Sequence, residues 1–283
     1  MRYIRGVVVI ALVVTLAGCA AQEGEQDPAS VAAMLEVEKV PGVLVAPYEN
    51  LVQIDPDAPE DDIVTTALAV RDIVDGMGEG RPRELAIVAV YPGDPYVQTK
   101  FSTTTYDDAD RFADDVRLWA GLLDAGFTEV SYVTATEGVG PGTLAVFSED
   151  PGDAGKTMAE AYDALEQAVS EPPYSDAPPS LYASVDRASI SNKSGRVELG
   201  EGWIELSEDL ASLDYLSSAR IRLNPDVTWV SLTGVTDLTS EQTAQIMAAL
   251  TNRAVLGPAV NVIYTNVTAL PKDGKTTLYG VAE

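Results

Sequence analysis

The chain has no histidine and a single cysteine among its 283 residues. Without histidine there is no Ser-His-Asp triad, no Cys-His dyad and no imidazole-ligated metal. Without a second cysteine there is no zinc cluster built on thiolates, no iron–sulfur site and no thiol redox pair. Positive charge is scarce as well. Against 44 Asp and Glu stand 18 Lys and Arg, giving a formal net charge of −26. So acidic a surface argues against nucleic acid or anionic headgroups as partners. It suits a soluble domain held just off a membrane of the same sign. Long apolar runs are missing except for one at the N-terminus. The side chains left for chemistry are carboxylates, Tyr, Lys, Ser and Thr.

That one apolar run is the most informative stretch. Arg2 and Arg5 precede Val7 to Leu16, a segment too short to cross a bilayer as a helix. Leu16-Ala17-Gly18-Cys19 follows directly. The stretch resembles the bacterial lipoprotein signal, the lipobox, at every position. The resemblance implies cleavage between Gly18 and Cys19, so that residues 1–18 are a leader. Cys19 would carry a diacylglyceryl group and become the first mature residue. Two acyl chains give two membrane signals, enough for stable anchoring. The implied place is the extracytoplasmic face of the cell membrane, with the membrane as partner through the lipid on Cys19. An ordinary secretory leader with a chance cysteine, or an uncleaved anchor helix, is the alternative.

Residues 19–29 read as a flexible tether. Beyond it, amphipathic helices alternate with pairs of strands. Pro59 opens one helix, with Glu60, Asp61 and Asp62 in its first turn and Ile63, Ala67, Val70 and Val74 on one face. Asp107 to Asp124 carries Phe112, Val116, Trp119 and Leu123 at the same spacing. A third helix carries Met158, Tyr162, Leu165 and Val169. A strand is expected near Leu181 to Val185 and another at Trp203 to Leu206, joined by a polar loop around Ser191 to Gly195. Leu210, Leu213 and Leu216 mark a short helix from Ser207. Thr239 with Gln242 forms a capping box before Ile246, Met247 and Leu250.

The order helix, hairpin, helix, hairpin recurs over 30–105, 106–206 and 207–283. The expected fold is α+β. Each module would be an antiparallel four-stranded sheet with two helices on one face, a circular permutation of the ferredoxin-like pattern. The Pro-rich stretch at 171–179 is then an insertion in the second module; a linker between two lobes is the other reading. The Val37 to Leu44 opening, with its Pro-Gly-Val, resembles small ferredoxin-like repeats of actinobacterial envelope lipoproteins. That resemblance implies no catalytic residue.

Three acidic clusters invite a calcium or acid–base reading: Asp55 to Asp62, Asp107 to Asp110, and Glu149 to Asp153. Each sits where a helix begins, where carboxylates cap backbone N–H groups and match the dipole. None matches a calcium loop. Gly138-Val139-Gly140-Pro141-Gly142 joins two expected strands and lacks a phosphate-loop ending, so it reads as a hairpin turn. Trp119 and Trp229 fit core stripes. Trp203 follows Gly200-Glu201-Gly202 at a loop edge and is the aromatic expected to face a ligand. The lysines show no Ser-x-x-Lys spacing. No catalytic residue, metal site or cofactor is assigned.

These observations favour a non-enzymatic scaffold or interaction module of the cell envelope, with an envelope protein as partner and no nucleic acid. The alternatives are a lipoprotein that binds a cation, peptide or glycan, and a carboxylate-dependent wall hydrolase. Oligomeric state is not legible, since an open sheet edge can pair with a second copy.

Overall fold

The computed structural model describes residues 28–90, 98–127, 129–134, 142–148, 156–193, 201–224, 227–234, 236–252, 260–266 and 276–281. Gly18, Cys19, the leader and most of the tether lie outside them. The described residues carry six α-helices and twelve strands. The chain divides into two compact units, one up to Ala120 and one from Gly121 onward. No described helix is long and apolar enough to cross a membrane.

The first unit runs α1 (Pro28–Val37), β1 (Val43–Tyr48), β2 (Leu51–Ile54), α2 (Glu60–Asp75), β3 (Leu85–Val90), β4 (Gln98–Thr103) and most of α3 (Ala109–Asp124). Strands β1 and β2 are antiparallel, β2 and β3 parallel, β3 and β4 antiparallel. The expected stripe of α2 is buried at Ile63, Ala67, Val70 and Val74. Phe112, Val116 and Trp119 of α3 are fully buried, and Phe101 of β4 meets two of them. Its ring lies edge-on to Phe112 at 5.7 Å and tilted to Trp119 at 6.1 Å. Rings of this size supply much of a small core's apolar burial.

Arg71 is the charged member of the α2 inner face, 9 % exposed. Its guanidinium donates to the carbonyls of Tyr106 (2.7 Å) and Asp107 (2.5 Å), which fastens α2 to the segment leading into α3. Arg81 bridges Asp75 (2.6 Å) and Asp107, and lies 5.3 Å from the Tyr106 ring centre.

The second unit runs β5 (Glu129–Val133), β6 (Thr143–Ser148), α4 (Met158–Ala168), β7 (Ser180–Val185), β8 (Ala188–Asn192), α5 (Glu201–Ser212), β9 (Leu216–Leu223), β10 (Thr228–Gly234), α6 (Ser240–Asn252), β11 (Val260–Asn266) and β12 (Thr276–Val281). Its strands lie in chain order. Four antiparallel pairs, β5/β6, β7/β8, β9/β10 and β11/β12, alternate with three parallel contacts, β6/β7, β8/β9 and β10/β11. A helix bridges each parallel contact. Helix α4 packs on β6 and β7, α5 packs on β8 and β9, and α4, α5 and α6 are successive neighbours. They share one face of the sheet. Beneath them lie Leu181, Ala183, Ile190, Ala219, Ile221, Val230, Leu232, Val262 and Tyr264, all buried.

The α+β class and the one-sided helices agree with the sequence. The four-stranded antiparallel module does not. The sheet of the second unit is long and mixed, and it continues from β8 into β9 through the register Ala188↔Ala219, Ile190↔Ile221. Two local misreadings produced that difference. The partner of β7 is not Trp203 to Leu206 but Ala188–Asn192, reached through the two-residue turn Asp186-Arg187. Asp186 has φ 49°, a left-handed conformation that Asp tolerates better than most residues. The turn carries no glycine, so it gave no strong hairpin signal. Residues 203–206 alternate like a strand, but Trp203, Leu206 and Leu210 recur at three and four and are buried on α5. Leu216 opens β9 rather than closing a helix.

Gly42 shows how tightly α2 abuts the turn before β1. Its φ is +91°, and an added Cβ would fall 2.3 Å from Thr66 Oγ1. That hydroxyl donates to the Pro41 carbonyl at 2.8 Å. Gly42→Ala is expected to destabilise the first unit by about 2–4 kcal/mol, through both backbone strain and overpacking. Thr66→Ala in the Gly42→Ala background should return part of that loss. Chemical denaturation of the parent, the two single variants and the double variant measures it; an unchanged Gly42→Ala midpoint contradicts the packing.

Candidate functional site

The residues singled out in the sequence are not brought together. Gly18 and Cys19 lie outside the described residues, as do the Glu149 to Asp153 cluster and Gly138 to Pro141. Trp203 does not face solvent: it is 4 % exposed on the inner side of α5. Trp119 is in the core. Trp229 is half-buried, on the side of β10 away from the helices.

Of the described acidic clusters, Asp55 and Asp108 accept backbone N–H groups, Asp107 pairs with Arg81, and no side chain caps the first turn of α2. Asp108 Oδ1 accepts from the N–H groups of Asp110 and Arg111, both at 3.1 Å, at the start of α3. Asp55 Oδ1 accepts from Asp57 N at 2.9 Å. The expected Thr239–Gln242 capping box is present, with Gln242 N donating to Thr239 Oγ1 at 3.2 Å and Thr239 N to Gln242 Oε1 at 2.9 Å. Among the described residues no group of three or more Cys, Asp or Glu is arranged to hold a metal ion.

What the sequence did not single out is the face of the second unit's sheet that no described helix covers. The register defines it. Ser191↔Arg222↔Trp229↔Asn261 forms one row across β8 to β11. Ser189↔Arg220↔Ser231↔Ile263 forms the next. Tyr182 and Ser184 continue these rows on β7, opposite Ser191 and Ser189. On the strand beyond, the Phe147 ring lies 5.4 Å from that of Tyr182. Ser218, Arg220, Arg222, Trp229, Ser231, Thr233 and Ile263 line a groove of about 300 Å³.

Two properties mark this face. From β6 to β11 its outward positions carry no Asp or Glu, although the chain has 44. Arg220 and Arg222 are both exposed, and neither makes an ion pair with a described carboxylate. Arg71, Arg81, Arg111, Arg117 and Arg187 each pair with a carboxylate, whereas exposed Arg83 in the first unit forms no ion pair with a described carboxylate. Alternation on β9 was the available signal: Ser-Ser-Ala-Arg-Ile-Arg-Leu puts both arginines on the side opposite Ala219 and Ile221.

The carboxyls whose titration is displaced move down. A hydrogen bond from Ser102 Oγ, and Lys100 Nζ at 3.2 Å, hold Glu84 below its ordinary value of 4.5. Arg81 holds Asp107 down, and the Thr157 N–H and hydroxyl do the same for Glu160. A general acid needs the opposite displacement. A depressed carboxyl contributes stability above its unfolded value and loses it as pH falls through the folded one. Glu84→Gln should therefore lower the melting temperature most above pH 4.5, and the gap from the parent should close at more acidic pH. A gap that stays constant from pH 7 to pH 3 contradicts the assignment.

Comparison with protein-family models, with curated proteins and with solved structures finds no match to this chain.

Proposed function

We propose that the protein is a non-enzymatic interaction module of the cell envelope, tethered through lipidated Cys19 on the extracytoplasmic face. The uncovered sheet face of its second unit is the working surface. The observation that carries this reading is the face whose outward positions from β6 to β11 hold no acid and whose two exposed guanidiniums pair with no described carboxylate, set in a chain of net charge −26. Arginines without a described carboxylate partner, on an otherwise uncharged face, favour recognition of an anionic group. Chemistry at a carboxyl has less support, because the displaced carboxyls are held ionised. The lipobox supports the location.

Fractionation of cells carrying the full chain tests the anchor. The parent should sediment with membranes and leave them only in detergent. Cys19→Ser should lose lipid labelling and either appear in the soluble extracytoplasmic fraction or accumulate uncleaved. Equal lipid labelling of parent and Cys19→Ser, or a parent that never sediments with membranes, overturns the anchoring.

A further inference from the structure

We propose that the uncovered face around Arg220, Arg222 and Trp229 binds a carboxylate-bearing polysaccharide strand. The inference rests on the interaction-module reading above and names the ligand class of that same face. Arg220 and Arg222 alternate on β9, which places them about 7 Å apart along one strand. Two separated forks match single negative charges repeated along a polymer better than one compact dianion. Trp229 lies directly across from Arg222, beside the groove. A half-buried indole next to hydroxyls gives a sugar ring a flat apolar surface with hydrogen-bonding groups around it.

The position of the face excludes the common route for a peptide. Strands β9 and β10 are paired on both sides, so their backbone N–H and C=O groups are not available for strand addition. The overall negative charge does not forbid an anion here. At physiological ionic strength charges beyond roughly 8 Å are largely screened. The local arginines then dominate, because no carboxylate shares the outward positions from β6 to β11.

The test is a calorimetric titration of the full chain, solubilised in neutral detergent, with four probes. These are oligogalacturonate, the same oligomer fully methyl-esterified, polyglutamate and inorganic polyphosphate. The expected result is binding of oligogalacturonate, with the ester at least tenfold weaker. Arg220→Ala/Arg222→Ala should lose about tenfold or more, the size expected for removing charge-assisted hydrogen bonds. Trp229→Ala should lose several-fold, while Arg117→Ala on α3 should bind like the parent. Melting curves check that each variant folds; Arg220→Gln/Arg222→Gln replaces the double alanine variant if that one does not.

No binding of oligogalacturonate, equal binding of the ester, or unchanged affinity in the arginine variants overturns the proposal. Equal or tighter binding of polyglutamate points to a protein partner, and of polyphosphate to a phosphorylated one; either overturns the carboxylated glycan. Affinity insensitive to Trp229→Ala reduces the site to anion capture and also overturns it. The titration uses solubilised protein, so its failure is separate from a failure of the Cys19 fractionation.

Discussion

A parallel neighbour cannot be reached by a tight turn. Joining two adjacent parallel strands needs a crossover long enough to leave the sheet and return, and a helix fills that length. In the second unit each parallel contact, β6/β7, β8/β9 and β10/β11, is bridged by one helix, and the strands advance in chain order. Crossovers in a twisted sheet take one hand almost without exception. Steps of one hand in one direction land on the same side. The helices therefore accumulate on one face and pack against each other, and no described helix covers the other face.

This asymmetry accounts for the side-chain pattern. The inner positions of β7 to β10 are close to fully buried and mostly aliphatic, with Asn192 and Thr228 as buried polar members. The outer ones are Ser, Thr, Tyr, Trp and Arg, types that suit an exposed pleated surface. A surface helix hides its polar side in solvent without consequence, but a half-covered sheet offers a broad flat area. Here the outward positions of that area, from β6 to β11, carry no Asp or Glu. The two arginines on β9 stand at its centre, between the Phe147–Tyr182 ring pair and Trp229. In the first unit, by contrast, Arg71 and Arg81 are spent on carbonyls and carboxylates that join α2 to the start of α3.

Much of the fold was legible because helix periodicity is a long-range signal. The stripes of α2, α3 and α4, the caps at Asp108 and Thr239, and most strands stand where residue spacing places them. The failures were local. Asp186-Arg187 turns the chain without glycine, and Trp203-Ile204-Glu205-Leu206 reads equally as strand or helix over four residues. Together they moved one hairpin and one helix, and that displacement hid the parallel contact at β8/β9. Sheet length was not legible, because strand order and parallel pairing leave no trace in a single strand's composition. The helix-free face is illegible in the sequence for the same reason. Arg220 and Arg222 look like ordinary polar alternation until neighbouring strands show that no acid lies beside them.

The central claim is that one side of the second unit's sheet is covered by helices and the other is open. Hydroxyl-radical footprinting with mass spectrometry tests it through residues of one chemical type. Trp203 is 4 % exposed on the inner side of α5, whereas Trp229 faces outward from β10. The account predicts fast oxidation of Trp229 and strong protection of Trp203 in the native protein, with both equally reactive after denaturation. Equal protection of the two in the native state, or faster oxidation of Trp203, would contradict it.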